Sequence, residues 1–217
     1  SNTAGTDNTA TGSVALYENT TGYGNAATGA GALYYNNTGI YNTASGVNAL
    51  LSNTTGTYNT AIGYAADVAS EDLTNATAIG NGASVSESNK IRLGDSNIVV
   101  IEGQVAFSAS SDRRLKKDIT NTKYGLKTIL ELVPVDYQLK SNDLFQVGFI
   151  AQDLKPIVLE AITGIEGDLE KGETLGVTYT TLVPVLTKAI QEQQALIDAQ
   201  NKVIQQLQKD MLILKQK

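Results

Sequence analysis

The first part of the chain repeats one order of small apolar and polar residues every 17 positions, as in "NTATGSVAL" (8–16) and "NTAIGYAAD" (59–67). Glycine and alanine recur in register, at Gly12, Gly29, Gly46, Gly63 and Gly80 and at Ala15, Ala32, Ala49, Ala66 and Ala83. Such a period, with two glycines a unit, is typical of a solenoid whose coils make two short strands and two turns. We therefore predict a β-solenoid over residues 1–88 rather than a flexible linker, because a linker needs no register.

The residue types suit the narrow interior of such a coil. A second glycine set marks the other half of each unit, and glycine permits the positive φ that corners need; this set is Gly5, Gly22, Gly39 and Gly56. Small Ala and Thr side chains at alternating positions are expected inside the coil. Aligned Asn side chains can hydrogen-bond from coil to coil, at Asn2, Asn19, Asn36 and Asn53.

Four N-x-S/T sequons raise the question of glycosylation, at Asn19, Asn36, Asn53 and Asn75. The first three recur with the 17-residue period. A structural ladder explains that spacing better than glycan attachment does.

Near the end of the chain, apolar residues follow one another at alternating steps of three and four. The series is Val183, Leu186, Ile190, Ile197, Ile204, Leu207, Met211 and Leu214, with Gln193 and Gln200 in its two gaps. This heptad predicts a long coiled-coil helix over residues 182–217, in which two Gln layers fix register and partner number. A parallel trimer would suit the solenoid, and the alternative is one amphipathic helix lying on its own domain.

Between these two patterns, the sequence predicts a small α/β domain over residues 111–181. The stretch "YGLKTILELVPVDYQLK" (124–140) reads as a helix that stops near Pro134, followed by a strand. The stretch "QVGFIAQDLKPIVLEAI" (146–162) reads as a strand entering a helix. Residues 89–110 are expected to form a β-strand connector, so the fold class is mixed.

Composition narrows the chemistry. The chain has no His and no Cys, which excludes a Ser/His triad, a thiolate nucleophile, disulfides and the usual zinc sites. It has neither a GxGxxG nor a P-loop, so we expect no cofactor and no metal. With three Phe, one Met and no Trp, much of the buried surface must come from partner chains.

Hydropathy and charge indicate whether a membrane or a nucleic acid is an expected partner. No apolar run is long enough to span a membrane, and the first residues lack the order of a signal peptide. Residues 1–110 carry eight acidic and two basic side chains, whereas the rest of the chain carries fourteen of each. This acidity argues against a nucleic-acid partner, since phosphates require clustered Lys and Arg.

A basic cluster interrupts this pattern in "SASSDRRLKKDI" (108–119), where four bases lie within the six positions after Ser111. They are Arg113, Arg114, Lys116 and Lys117. One interpretation is a solvated surface, or pairing with Asp112 and Asp118, at the point where a globular cap begins.

The other interpretation is catalytic, because Ser111 and Lys116 supply a nucleophile and a base to a chain that has no histidine. Lysine is normally protonated, but burial or a neighbouring cation lowers a lysine pKa. Five positions of separation place the two residues on different sides of a helix or a strand. A turn or a second chain must therefore bring them together.

Two resemblances give these patterns a biological setting. The repeats, and above all "NTAIG" (59–63), resemble the head repeats of trimeric adhesins and phage tail fibres, in which left-handed β-rolls of three chains pack side by side. The series "SDRRLKKDI", "LVPVDYQLK", "VGFIAQDL" and "LGVTYTTLVPVLTKAIQEQ" resembles the intramolecular chaperone domain of endosialidases, peptidase family S74, from residue 111 to about 200.

The second resemblance implies a domain that trimerises, guides the folding of the β-fibre before it and then cuts itself off. It implies that Ser111 is the nucleophile, Lys116 the base, and Ser110–Ser111 the scissile bond. Asp112, Arg114 and Leu115 match the same motif without a catalytic role.

The expected function is therefore a self-cleaving C-terminal chaperone of a phage tail fibre, tail spike or surface adhesin. The alternative is a structural trimerisation cap that never cleaves, and a processed DNA-binding regulator is opposed by the acidic repeats. Expected partners are two further copies of the chain, the upstream fibre and a host-surface receptor. The expected location is a virion tail fibre or the cell surface, with assembly in the cytoplasm of the producing cell if the chain comes from a phage.

Overall fold

A computed structural model describes residues 3–140, 143–169 and 173–215. The chain divides into two compact units, of which the first holds the residues up to Gly103 and the second begins at Gln104. The first unit also includes Lys140 and the described residues between Gly164 and Thr174. The four domain ranges predicted from the sequence remain a prediction.

The first unit is a β-solenoid, as predicted. Its strands in chain order are β1 (Thr9–Thr11), β2 (Ala26–Thr28), β3 (Thr43–Ser45), β4 (Thr60–Ile62), β5 (Asp67–Val68), β6 (Thr77–Ile79), β7 (Ser84–Val85) and β8 (Ile91–Leu93). Six of them form one parallel sheet in the order β1-β2-β3-β4-β6-β8. From β1 to β6, partners in neighbouring strands are 17 positions apart, as in the pair Ala44 and Ala61.

The interior of the coil admits only small side chains on the strand side. Ala27, Ala44, Ala61 and Ala78, at the centres of their strands, are almost completely buried. The residues on either side of each alanine point outward because side chains alternate along a strand. Thr43 and Thr60 therefore lie on the outer surface, and their predicted place inside the coil was wrong.

The other side of each coil changes along the solenoid. Outside the six-stranded sheet, the strands of the described solenoid that pair are β5 and β7, with Val68 opposite Val85. In the earlier coils Leu16, Leu33 and Leu50 have φ values of 51°, 49° and 49°, which break an extended strand, and their side chains are buried. The prediction of two strands in every coil is therefore wrong for these coils.

The two sets of positions require glycine for different physical reasons. Gly12, Gly29, Gly46, Gly63 and Gly80 have φ between 118° and 144°, so the predicted positive φ is confirmed for this set. A Cβ on Gly46 would also collide with the carbonyl of Gly63. Gly22 has no positive φ; a Cβ there would collide with the Asn19 side chain and the carbonyl of Gly39, as it would at the equivalent glycines of the next coils.

The predicted asparagine ladder is present and fully buried. Asn36 Nδ2 donates to Asn19 Oδ1 at 2.8 Å, and Asn53 Nδ2 donates to Asn36 Oδ1 at 2.8 Å. All three side chains have no exposed surface, so a glycosylating enzyme cannot reach them in the folded coil. Asn75 is exposed, and Asn2 lies outside the described residues.

A second buried asparagine row lies one position before the strands and was missed by the sequence analysis. Asn25 Oδ1 accepts from the backbone N–H of Asn42 at 2.9 Å, and Asn25 Nδ2 donates to the carbonyl of Gly39 at 2.8 Å. The same contacts recur one coil later at Asn42 and Asn59. Among the described residues, no buried side-chain polar atom lacks a partner.

The second unit is a small α/β domain with a long helix. Its elements are α1 (Leu126–Glu131), β9 (Val135–Gln138), β10 (Phe145–Gly148), α2 (Ala151–Leu154), β11 (Ile162–Thr163), β12 (Gly176–Val177) and α3 (Leu182–Lys215). β9 pairs with β10 and β11 with β12, both antiparallel. The predicted helix before Pro134, the strand after it and the strand entering a helix at 146–162 are confirmed. The core holds Leu154, Val158, Ala161 and Leu182.

Only the beginning of α3 packs on this domain. Leu182, Val185 and Ala189 are buried, and the Glu192 carboxylate accepts the backbone N–H of Leu126 at 2.8 Å, which ties α3 to the start of α1. Beyond Glu192 the described part of α3 is almost entirely exposed, and residues 216–217 lie outside the described residues. In the described part of the chain, no helix combines the length and apolarity that a membrane span requires.

The corner glycines allow a direct test of the solenoid. We expect Gly46→Val to destabilise the solenoid by about 1–3 kcal/mol, because valine is strained at this φ and its side chain meets the next coil. Denaturant unfolding followed by circular dichroism measures the effect. Ala26→Val, on the outward face of β2, is the matched control and should change stability by less than about 0.5 kcal/mol. Equal stability of the two variants would contradict this account of the corner.

Candidate functional site

The candidate site lies in an exposed segment near the start of the second unit, before α1 in the sequence. Residues 104–112 have no helix or strand, and residues 113–115 form one turn of 3₁₀ helix. The turn closes through two backbone hydrogen bonds, from Leu115 N–H to the Asp112 carbonyl and from Lys116 N–H to the Arg113 carbonyl, both at 3.1 Å. The chain therefore reverses direction within a few residues.

This turn brings Ser111 and Lys116 together within one chain. Lys116 Nζ donates to Ser111 Oγ at 2.6 Å across five positions of sequence. The sequence required either a turn or a second chain for this contact, and the turn suffices. The hydroxyl, the amine and the peptide bond before Ser111 thus lie within one short segment.

Asp112 and Arg114 stabilise the same turn. Asp112 Oδ1 accepts the backbone N–H of Arg114 at 2.8 Å, and the Arg114 guanidinium lies across both carboxylate oxygens at 2.6–3.2 Å. The guanidinium, and after it the backbone N–H, hold the pKa of Asp112 below its usual value, so the carboxylate is ionised at neutral pH. The sequence motif left Asp112 without a role, although Asp is a preferred residue before a helical turn.

The other residues of the basic cluster are surface groups. Leu115 is exposed, and the side chains of Arg113 and Lys117 make no ion pair with any described residue. Asp118 likewise pairs with no described cation. Of the two ion pairs that the sequence suggested, the one with Asp112 is therefore present, to Arg114, and the one with Asp118 is absent among the described residues. No three acidic side chains in the described ranges approach closely enough to hold a metal ion.

Both members of this pair lie on the surface. Ser111 and Lys116 are both exposed to solvent in the single chain. Lysine bases of enzymes ordinarily lie in desolvated sites. The geometry of the single chain therefore supplies proximity without excluding water from the pair.

Comparison with protein families gives a match that begins at Ser111. The family described as chaperone of endosialidase, Peptidase_S74, matches residues 111–180, which is less than half of the chain and begins at the candidate nucleophile. No curated protein and no solved structure matches the chain. The matched region contains the turn, the small α/β domain and the residues that lead into α3. Residues 111–180 are therefore similar to the chaperone of endosialidase family.

Proposed function

We propose that this chain trimerises through its C-terminal chaperone region, guides the folding of the solenoid before it, and then cuts itself between Ser110 and Ser111. The chaperone role follows from the family of residues 111–180. The observation that supports cleavage is the 2.6 Å contact between Lys116 Nζ and Ser111 Oγ, directly after the bond to be cut.

The proposed reaction balances with water as the only co-reactant. Lys116 removes the hydroxyl proton of Ser111, and Oγ attacks the carbonyl carbon of Ser110. The C–N bond breaks as Lys116 returns the proton to the leaving amine of Ser111, which moves the acyl group from nitrogen to oxygen. Water then hydrolyses the ester, leaving a carboxylate on Ser110 and a free amine and hydroxyl on Ser111.

Two exposed apolar regions support an assembly of several chains. The eight apolar residues of the α3 heptad are between 41% and 70% exposed. Ile98, Val99, Val100, Ile101, Val105 and Phe107 are between 51% and 92% exposed, in a segment with no helix or strand. Contiguous apolar surface of this kind marks an interaction site, and further copies of the chain are the partners proposed here. The number three rests on the family resemblance, since isoleucine at one heptad position does not select it.

The repeats themselves explain why such a fibre needs a chaperone. Neighbouring coils are so similar that sliding one chain past another by one coil changes few contacts, and register is weakly specified wherever a pattern repeats. A trimeric nucleus at the C-terminal end fixes the register of three chains before their coils form. Cleavage then releases that nucleus from the finished fibre.

One observation favours a structural cap that stays attached. Ser111 and Lys116 are solvent-exposed in the single chain, whereas a lysine that acts as a base ordinarily lies in a desolvated site. A tail-fibre or cell-surface location and a host-surface receptor for the complete fibre remain part of the proposal in either case.

Cleavage is tested by expressing the full chain and measuring intact masses and N-terminal sequences. We expect one piece that ends at Ser110 and one that begins at Ser111. Ser111→Ala and Lys116→Ala should leave the chain whole because they remove the attacking oxygen and its base. Lys117→Ala, the matched control, should still be cut. Equal cleavage of wild type and Ser111→Ala would refute the mechanism, and an intact wild-type trimer would favour the non-cleaving cap.

Mixed assemblies test whether the dyad acts within one chain. We expect no cleavage when Ser111→Ala and Lys116→Ala chains with different tags are co-expressed and mixed trimers are isolated, because the two groups already meet in a single chain. Cleavage of the Lys116→Ala chain in these trimers would show that a lysine of a neighbouring chain is the base.

The oligomer is tested by light scattering at micromolar concentration in the uncleaved Ser111→Ala background, where we expect the mass of three chains. Ile190→Asp together with Ile197→Asp should abolish assembly, because each places an unpaired charge in an apolar seam. Ala195→Asp together with Lys202→Asp is the matched control, since these positions lie on the opposite side of the helix. A monomeric or dimeric Ser111→Ala chain would contradict the proposal.

A further inference from the structure

The turn that joins the proposed nucleophile to its base depends on one carboxylate. We infer that Asp112 is a positioning residue for cleavage, whose carboxylate caps the turn at residues 113–115 and thereby holds Lys116 Nζ against Ser111 Oγ. This inference rests on the proposed function and names a role that the Ser/Lys pair alone does not include. Asp112 touches neither the reacting oxygen nor the scissile carbonyl in this arrangement.

Without the turn, the two reacting groups are far apart. Five residues of extended chain span about 16 Å, and an odd separation places the two side chains on opposite faces. Lys116 reaches Ser111 only because the chain reverses through the hydrogen bonds from Leu115 to the Asp112 carbonyl and from Lys116 to the Arg113 carbonyl. The rate of attack therefore scales with the fraction of chains in which this turn is formed.

The Asp112 side chain contributes the third hydrogen bond of the turn. The N–H groups at the start of a helical turn have no partner within it, and Asp112 Oδ1 satisfies that of Arg114 at 2.8 Å. The backbone of Asp112 is extended, with φ −61° and ψ 134°, as is usual for a residue that caps a helix start. A short turn in water has few other contacts to hold it, so this bond has a large share in its stability.

The carboxylate also binds the Arg114 guanidinium, and the two roles are separable. The Arg114 side chain is 89% exposed, and ion pairs between exposed groups contribute little. The hydrogen bond to the backbone requires only an oxygen acceptor, which asparagine and serine also provide. The cap, rather than the ion pair, is therefore the feature that positions Lys116.

The test uses the full chain made by pulse-labelled cell-free synthesis, with cleavage followed over time on denaturing gels. We expect Asp112→Asn and Asp112→Ser to cleave within about threefold of wild type, since both keep the cap. Asp112→Ala should cleave about tenfold more slowly than Asp112→Asn. Arg113→Ala changes an exposed side chain in the same turn and is the control expected to match wild type. Light scattering confirms that each variant still assembles.

The comparison of Asn with Ala separates positioning from charge, because neither side chain is ionised. The ratio of their rates should stay constant between pH 7 and pH 9.5, since the turn and not a protonation state has changed. Asp112→Asn as slow as Asp112→Ala, or Asp112→Ala as fast as wild type, would overturn the inference alone. A ratio of the Asp112→Asn rate to the Asp112→Ala rate that falls to one at high pH would also overturn the inference. A wild-type trimer that never cleaves overturns the proposed function and this role with it.

Discussion

Each coil of the solenoid makes many of its backbone hydrogen bonds to the neighbouring coil, and within itself it closes only short turns such as that from Asn36 N–H to the Leu33 carbonyl. The N–H of Ala26 donates to the carbonyl of Asn42, and the N–H of Thr43 donates to that of Asn59, both one coil onward. The buried asparagines also join neighbouring coils, in the opposite direction, since Asn36 donates to Asn19 and Asn53 donates to Asn36. A single coil therefore has neither a satisfied backbone nor a sufficient core, and the structure becomes stable only as coils accumulate.

This dependence gives the C-terminal region its importance. A stack that needs neighbours before it is stable has a costly first step, and contacts between distant parts of the sequence form slowly. The second unit has no such dependence, since Leu154, Val158 and Leu182 form a core of their own and Glu192 ties α3 to α1. Under the proposed function this unit folds first and offers α3 to other chains. Folding from a preformed C-terminal nucleus is the order that the proposed function requires.

How much the sequence predicted depends on whether a feature repeats. The solenoid could be read because Ala44 and Ala61 occupy the same place in successive coils, and α3 because its heptad runs through Ile190, Ile197 and Ile204. The left-handed φ of Leu50 could not be predicted, since leucine ordinarily avoids it and only the surrounding coil imposes it. The contact of Glu192 with Leu126 joins residues 66 positions apart, and no local pattern indicates it.

The candidate site was likewise only partly predictable from the sequence. The motif indicated Ser111 and Lys116, but the turn between them is closed by two backbone hydrogen bonds and capped by Asp112, whose hydrogen bond to Arg114 no periodicity reveals. A reaction on the chain's own backbone needs no binding pocket, because the peptide bond already holds the substrate in place. Proximity is then a matter of five residues. Because Ser111 and Lys116 are both exposed in the single chain, the proposed cleavage assigns to assembly the step of excluding water from them.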